Sequence, residues 1–327
     1  MLLAVDGNSI THRAYHAYAG RGVVMTDGAG RPRGAVYGAV ALVAGCAQKV
    51  VGRYGRIDGL VVGFDDPQRS VRREHYPDYK ATRAAKDPAL VEQLEATATL
   101  LAELGVTTLV PEGYEADDVL ASAAAAAEQA GWRCAVATSD RDACALVTDA
   151  TTMLRITGGL DQSPWLDPDG VVDSFGVSPS RYGLYAATRG DSSDNLPGVP
   201  GLGPKRAAAL WSTYPDLATA LADPDGLARA VGRRGAAGLL EHASVVERNV
   251  ALMTLRTDIT VAVDTVRPEW AAPSVDAVLV RWGLAGLTGR VAALAGLFGS
   301  RGSTNGSPGG GTDGGPAGQL PLFSGRP

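Results

Sequence analysis

Three carboxylates lie within four positions of the chain, directly before a run of alanines that favours a helix. Glu115 and Asp118 are three residues apart, so they share a face if both are helical, and Asp117 lies between them. Acidic residues at a helix start can simply cap the helix. Capping accounts for one or two of these acids but not for three, so the cluster also suggests a divalent-metal site.

More acids follow short apolar runs of the kind that form buried strands. These acids are Asp6, Asp65, Asp140 and Asp142, and the runs before them are residues 2–5, 60–64 and 134–138. The acidic cluster itself follows a similar run at 107–110. Helices are predicted between the runs, at 35–54, 88–104 and 116–130.

This alternation of strands and helices predicts an α/β fold with a mostly parallel sheet. In such sheets ligands bind beyond the carboxyl ends of the strands, so the strand-terminal acids would meet at one edge. A single aspartate in such a place is usually a turn or cap residue. Three of them beside an acidic cluster make a shared metal site the better interpretation.

A second group of polar residues lies downstream. Asp191 and Asp194 are three residues apart, so both can face one site from a helical turn. The stretch that follows carries three glycines and then two cations, Gly198, Gly201, Gly203, Lys205 and Arg206. Glycines let backbone N–H groups approach a phosphate, and the spacing resembles a helix–hairpin–helix, which grips the DNA backbone without reading sequence. A plain Gly/Pro-rich turn is the alternative.

Residues 69–86 carry six Lys or Arg residues against two acids, with Tyr76 and Tyr79 interleaved. Basic and aromatic side chains together suit phosphate contact and base stacking on unpaired strands. A solvated loop accounts for this composition about equally well.

The chain has 327 residues, 45% of them hydrophobic, which is enough for one large or two modest domains. Its three cysteines are scattered and show no zinc spacing, which favours a reduced, cytoplasmic protein. The N-terminus lacks the basic start of a signal peptide, and no uninterrupted apolar run approaches membrane-spanning length, so no membrane partner is expected. The net charge of −5 becomes +4 when the nine acids named above are set aside, which permits a phosphodiester substrate.

The last third of the chain divides into helices and a tail. Helical segments are predicted over about 215–255, a short strand or extended segment over 258–263, and two more helices up to residue 298. From residue 299 the composition is dominated by Gly, Ser, Pro and Thr, which is typical of a flexible tail. The tail ends with an apolar patch, Gln319–Phe323, of the kind found in docking peptides, although such patches also occur by chance.

Six motifs stand in order along the chain: Val5–Asn8 with Arg13, Val62–Asp65, Tyr79–Arg83, Tyr114–Asp118, Thr138–Asp142 and Gly190–Asn195. Together they resemble the 5′-nuclease (flap endonuclease-like) family, and specifically the 5′–3′ exonuclease domain at the N-terminus of bacterial DNA polymerase I. The resemblance covers about residues 1–260, and six ordered motifs make it highly specific. No polymerase region follows in this sequence, so it resembles a stand-alone bacterial member.

The resemblance implies a PIN-like nuclease core over residues 1–175, with a helical arch at about 66–90. It implies a helix–hairpin–helix region with C-terminal helices over 176–298, and a flexible tail over 299–327. It also implies two Mg²⁺ ions, replaceable by Mn²⁺, held by nine acids: Asp6, Asp65, Glu115, Asp117, Asp118, Asp140, Asp142, Asp191 and Asp194. Lys80 and Arg83 would lie at the base of the arch and face the scissile phosphate.

Implied DNA-binding residues are Arg13, Arg72, Arg73, Tyr76, Tyr79, Gly198, Gly201, Gly203, Lys205 and Arg206, and the resemblance leaves open whether K⁺ binds at the helix–hairpin–helix. The expected partners are DNA with 5′ flaps, nicked or gapped duplexes and 5′ ends, bound by a monomer. In the tail, a peptide resembles the motif by which bacterial replication proteins bind the sliding clamp, through Gln319, Leu320, Leu322 and Phe323.

The function implied is therefore a structure-specific 5′–3′ exonuclease and flap endonuclease acting in replication or repair. Mg²⁺ prefers oxygen ligands, which explains why the motifs carry carboxylates rather than His or Cys. Two alternatives stay open at this point: an RNA-cleaving enzyme with a related PIN-type core, and a DNA-binding scaffold without catalysis.

Overall fold

The computed structural model describes residues 1–19, 25–268, 270 and 272–298. The predicted tail over 299–327, with its clamp-binding residues Gln319, Leu320, Leu322 and Phe323, lies outside the described residues.

A six-stranded sheet forms the centre of the protein, in the order β3-β2-β1-β4-β5-β6. The first five strands run parallel, and β6 pairs antiparallel with β5. The strands are β1 (Leu2–Asp6), β2 (Gly59–Gly63), β3 (Thr107–Leu109), β4 (Cys134–Thr138), β5 (Thr151–Arg155) and β6 (Trp165–Leu166). The predicted mostly parallel sheet is thereby confirmed.

Helices flank the sheet and continue beyond it. The helices of the sheet region are α1 (Gly7–Ala19), α2 (Gly34–Tyr54), α3 (Val71–His75), α4 (Pro88–Glu103), α5 (Ala116–Gln129) and α6 (Pro168–Phe175). The later helices are α7 (Pro179–Arg189), α8 (Pro204–Thr213), α9 (Leu217–Leu221), α10 (Pro224–Glu241), α11 (Ala243–Met253), α12 (Ala272–Arg281) and α13 (Thr288–Leu297). Short 3-10 helices occupy Asp142–Leu146, Leu160–Gln162 and Ala285–Leu287.

The sheet has a buried core on both faces because alternate side chains of each strand point to opposite sides. Leu2 and Ala4 of β1 pack in the cluster that contains α5 and the helices from α7 to α11. Leu3 and Val5 pack in the other cluster, with α2, α4, α12 and α13. All four side chains have 0% exposure, so β1 and the acid at its end are rigidly held.

Helix α2 is long and apolar enough to cross a membrane by length and mean composition alone, although no uninterrupted apolar run within it reaches that length. Its most apolar stretch is 67% buried inside the protein, however. The buried residues Val36, Val40 and Val43 recur at helical spacing and pack in the same cluster as β1. The helix therefore serves as a core helix of this fold.

Two elements differ from the sequence-based prediction. Of the two alternatives for residues 258–263, a strand or an extended segment, the strand does not form: β2 is already paired with β1 and β3, and the loop that follows contacts β2 at Val266, whose carbonyl oxygen accepts the Leu60 N–H at 2.9 Å. In the region predicted to form an arch, the helical part consists of the five residues of α3 and the first turn of α4, with turns at 77–82 between them.

Candidate metal and DNA site

The acids predicted to end strands do meet at the carboxyl edge of the sheet. Asp6 ends β1, Asp65 follows β2, and Asp140 follows β4, which lies beside β1. The carboxylate of Asp6 is 5% exposed and accepts hydrogen bonds from Ser9 N–H at 2.8 Å and from the Thr138 hydroxyl at 2.7 Å. Burial and, to a smaller extent, the charges of Asp65 and Asp140 together raise the pKa of Asp6 to about 7, despite these two donors.

Asp117 contributes the least satisfied group of this edge. Its Oδ1 is withdrawn from solvent and has no hydrogen-bond partner among the described residues. Burial raises the pKa of Asp117 well above its ordinary value, and the nearby charges of Asp6, Asp140, Glu115 and Asp65 raise it further. A buried carboxylate oxygen without a partner is costly, and a cation would satisfy it. This oxygen and the all-carboxylate donor set therefore fit a hard divalent metal ion.

A second group of acids adjoins the first through Asp140. Asp142 donates its backbone N–H to Oδ1 of Asp140 at 2.9 Å. Burial, together with the smaller effects of the charges of Asp140, Asp191 and Asp194, raises the pKa of Asp142 to about 7. At Asp191 burial is outweighed by two hydrogen bonds from Ser193, both at 2.7 Å, and its pKa is lowered. The acids thus form two neighbouring groups rather than one.

The two predicted catalytic cations lie against the acids. Lys80 Nζ donates to Oε1 of Glu115 at 2.6 Å, and Arg83 Nη2 donates to Oδ1 of Asp194 at 2.5 Å. Burial lowers the pKa of Lys80, but the charges of Glu115 and Asp194 outweigh this effect, so the pKa of the amine is raised. With the side chains in these positions, no group of three or more His, Cys, Asp or Glu residues in the described ranges lies close enough together to hold a metal ion. In place of a metal ion, Lys80 and Arg83 neutralise Glu115 and Asp194.

Asp118 lies apart from the cleft, which differs from its predicted role as a metal ligand. It is fully buried, and both of its oxygens accept hydrogen bonds from the Arg72 guanidinium at 2.7 Å. Asp118 also forms a reciprocal capping box with Glu115 at the start of α5. The capping alternative therefore accounts for these two positions, whereas it does not account for Asp117.

Arg72 and Tyr79 also differ from their predicted roles in DNA binding. Arg72 is 9% exposed, and Tyr79 is 3% exposed with its hydroxyl on Glu115 at 3.1 Å. Both are drawn inward because α3 and the turn after it fold onto the acidic start of α5. Arg73 is exposed, and Tyr76 is half-buried beneath the guanidinium of Arg248, 4.5 Å from the ring centre. Among these four predicted contacts, Arg73 alone is fully exposed.

A cleft of about 1170 Å³ opens over the first group of acids. Its lining includes the carboxylates of Asp6, Asp65, Glu115, Asp117 and Asp140. It also includes the cations Arg13, Lys80, Arg83, Lys86 and Arg290. A cleft lined by both carboxylates and cations suits metal ions and a phosphate backbone together.

Sequence reasoning left several residues of this cleft unassigned, among them Asn8, His12 and Lys86. Asn8 bridges β1 and β2: its Nδ2 donates to Oδ2 of Asp65 at 2.5 Å, and its Oδ1 accepts the Asp65 N–H at 3.1 Å. Asn8 was within reach of prediction because it belongs to the first motif. His12 and Lys86 also line the cleft, and burial, then Lys86 and His16, lower the pKa of His12 to about 4.

The glycine hairpin lies between α7 and α8, as the helix–hairpin–helix spacing predicts. At Gly198 a side chain is excluded, since a Cβ would stand 2.0 Å from the carbonyl oxygen of Arg189. Gly203, by contrast, precedes α8 in open space, and Lys205 and Arg206 are exposed in the first turn of that helix. Gly198 therefore allows the close packing of the hairpin against the end of α7, and the start of α8 is accessible.

Comparison with known proteins places this arrangement in a family. Residues 1–176 match the family model of the 5′–3′ exonuclease N-terminal resolvase-like domain, and residues 177–276 match that of the 5′–3′ exonuclease C-terminal SAM fold. DNA polymerase I of Mycobacterium tuberculosis is 37% identical over 266 residues, which cover 80% of this chain. The match covers only 28% of that polymerase, so the chain spans little more than a quarter of its length.

Solved structures share the fold. The bacteriophage T5 flap endonuclease, in a pseudo-enzyme-product complex with DNA and metal ions, is 20% identical with a TM-score of 0.56, covering 90% of this chain and 98% of that one. Flap endonuclease-1 from Methanococcus jannaschii is 18% identical with a TM-score of 0.56, covering 91% of this chain and 92% of that one. With both family models matched over most of its length, the chain belongs to the 5′–3′ exonuclease family, as its six ordered motifs predict.

Proposed function

We propose that this protein is a structure-specific 5′–3′ exonuclease and flap endonuclease that hydrolyses DNA phosphodiesters with two divalent metal ions, in replication or repair. The observation that carries the proposal is the unpartnered, buried Oδ1 of Asp117 among the acids at the sheet edge. A DNA-binding scaffold would gain nothing from an unsatisfied carboxylate there. Family membership supports the same activity.

The two groups of acids suggest two metal positions. Asp6, Asp65, Glu115 and Asp117 would hold one ion, Asp142, Asp191 and Asp194 the other, with Asp140 between them. Mg²⁺ suits oxygen ligands, and Mn²⁺ can take its place. When bound, a metal pair of this kind supplies an activated water and stabilises charge on the attacking and leaving oxygens. The T5 flap endonuclease crystallised with metal ions and DNA supports this proposal.

Lys80 and Arg83 would bind the scissile phosphate. Both line the cleft, and both now neutralise acids that would carry metal in the working enzyme. With a metal ion as the partner of those acids, the positive charges of Lys80 and Arg83 would be free for the phosphate oxygens. Fixed cations at such a position stabilise the charge that develops in the transition state.

Two surfaces would hold the DNA. Arg13 and Lys86 in the cleft, with Arg73 and Tyr76 on and after α3, suit the single-stranded 5′ flap. On the duplex side, Gly203 with Lys205 and Arg206 presents backbone N–H groups and cations to phosphates, and a K⁺ ion could join the same hairpin. The substrates would be 5′ flaps, nicked or gapped duplexes and 5′ ends.

The remaining assignments follow from the sequence. A monomeric, cytoplasmic enzyme that docks on the sliding clamp through Gln319, Leu320, Leu322 and Phe323 would act where such DNA ends arise. Loss of clamp binding in a Leu322→Ala/Phe323→Ala variant is expected. Equal clamp affinity for this variant and the wild type would contradict the assignment.

The test compares labelled substrates of equal sequence: a DNA 5′ flap, a nicked DNA duplex and an RNA 5′ flap, each with Mg²⁺, Mn²⁺ or EDTA. We expect metal-dependent cleavage near the flap junction, faster for DNA than for RNA. Faster cleavage of the RNA flap would favour the ribonuclease alternative. Tight flap binding without cleavage in either metal would favour the scaffold.

A further inference from the structure

Asp118 differs from its neighbour Asp117 in its surroundings. Asp117 lines the cleft, whereas Asp118 has 0% exposure. The two oxygens of Asp118 accept four hydrogen bonds: two from Arg72 at 2.7 Å, one from Glu115 N–H at 3.0 Å and one from Arg256 N–H at 2.9 Å. A carboxylate offers about four acceptor positions, so these donors leave none for a metal ion.

The contacts of Asp118 converge on Glu115 by two routes. Directly, Oδ2 of Asp118 holds the backbone N–H of Glu115 at the start of α5. Indirectly, Asp118 fixes the guanidinium of Arg72, whose Nη1 donates to Oε2 of Glu115 at 3.3 Å. Glu115 lines the cleft. Asp118 therefore fixes both the backbone and the carboxylate of Glu115, which faces the proposed metal position.

Arg72 cannot easily release Asp118. Its Nε donates to the carbonyl oxygen of Leu252 at 2.8 Å, and its Nη2 lies 3.4 Å from the carbonyl oxygen of Thr254. These carbonyls, at and just beyond the end of α11, anchor the guanidinium on the side away from the cleft. For Asp118 to bind a metal it would have to leave a buried guanidinium without its charged partner, which is strongly unfavourable.

We infer that Asp118 is a positioning residue that orients Glu115 for the metal and does not itself bind an ion. The inference rests on the proposed metal-dependent function and deepens it. It divides the two adjacent aspartates by role, with Asp117 as ligand and Asp118 as the support of a ligand. Residues that orient a ligand typically change metal affinity by about 10–100-fold when replaced, while the ligands themselves stay in place.

The test measures Mn²⁺ binding to the full chain without DNA, by electron paramagnetic resonance and calorimetry, for the wild type, Asp118→Asn, Asp118→Ala and Asp117→Asn. We expect both Asp118 variants to bind as many Mn²⁺ ions as the wild type, with affinity at one site lowered about 10–100-fold in Asp118→Ala. Asp118→Asn should lose less, since its remaining oxygen can still accept the Glu115 N–H. Asp117→Asn should bind at least one ion fewer.

Asp167→Ala provides the matched control. Asp167 caps α6 by accepting the Gly170 N–H at 3.0 Å, outside the cleft, so this variant loses a helix cap without touching Glu115. Its Mn²⁺ affinity should equal that of the wild type. Equal affinity in Asp118→Ala as well would reduce Asp118 to a helix cap and overturn the inference.

A missing ion in Asp118→Asn would also overturn it, because Asp118 would then be a ligand. If the single variants fail to fold, Arg72→Gln/Asp118→Asn removes both charges and keeps hydrogen-bonding groups. This double variant should still bind as many ions as the wild type, and one ion fewer would again identify a ligand. A wild-type chain that binds no Mn²⁺ would contradict the proposed function itself, and the inference with it.

Discussion

Lys80 Nζ lies 2.6 Å from Oε1 of Glu115 and 4.8 Å from the ring centre of Tyr79. The backbone at Lys80 has a φ of 57°, in the left-handed region that a lysine seldom adopts, and its N–H donates to the carbonyl oxygen of Asp194. Strained backbone of this kind concentrates at functional sites. Lys80 is thus held where it would compete with a metal ion for Glu115.

Replacing Lys80 with Met should therefore act in two opposite directions. Mn²⁺ should bind more tightly, because the competing cation is gone, while flap cleavage should slow by about 10²–10³-fold, because a fixed positive charge beside the phosphate is lost. Calorimetry and single-turnover cleavage measure the two effects. Lys49→Met, a change on α2 outside the cleft, is the control and should alter neither. Weaker Mn²⁺ binding in Lys80→Met would contradict the competition.

The stability of the metal-free protein should depend on Asp6 and Asp142. Burial raises the pKa of each from 3.8 to about 7. Between these values the folded chain keeps protons that the unfolded chain has lost, so their contribution to the free energy of unfolding falls as pH rises. Urea unfolding in EDTA at pH 5 and pH 8 should show this fall. In Asp6→Asn/Asp142→Asn the loss between the two pH values should be smaller than in the wild type.

Mg²⁺ should reverse this trend. Binding the metal requires deprotonated carboxylates, so the added stability should be larger at pH 8 than at pH 5, and protons should be released on binding at pH 6. The difference in unfolding free energy with and without Mg²⁺ at each pH measures the effect. Equal stabilisation at both pH values would show that these acids do not take up the metal.

The hairpin makes a prediction about stability rather than catalysis. A Cβ at Gly198 would lie 2.0 Å from the carbonyl oxygen of Arg189, so Gly198→Ala must shift the backbone. Overpacking of this kind costs about 1–3 kcal/mol or more in the free energy of unfolding. Gly183→Ala, in the middle of α7 with open space around it, should instead stabilise by about 0.5–1 kcal/mol. Urea unfolding measures the stability of both variants. A Gly198→Ala variant that is as stable as Gly183→Ala would contradict the assignment of Gly198 to the packing of the hairpin.

The acids at the edge of the sheet were predictable because the sequence pattern that places them is local. An apolar run followed by an acid fixes both the strand and the position of the carboxylate, as the ends of β1 and β4 show. The strand β5 was missed because its sequence, Thr151–Arg155, carries polar residues at three of five positions, yet its first four residues are buried against β4. There tertiary context outweighs the local pattern.

The different roles of the neighbouring acids could not be predicted from the sequence. Asp117 and Asp118 are adjacent residues of the same type. What distinguishes their roles is that Asp118 binds the distant Arg72, which is anchored to Leu252. The same long-range packing draws Tyr79 inward, although composition alone favours an exposed aromatic. Such contacts join segments that are up to 180 positions apart, so no local spacing rule reveals them.

The central claim is that Asp117 belongs to a metal-dependent nuclease site. Its most direct test is Mg²⁺-dependent cleavage of a labelled DNA 5′ flap by the wild type, by Asp117→Asn and by Asp173→Asn, which changes an exposed acid on α6. We predict loss of at least about a hundredfold in rate for Asp117→Asn, as expected when metal binding is disrupted, and no change for Asp173→Asn. Wild-type rates in Asp117→Asn, or undiminished cleavage in EDTA, would contradict the account.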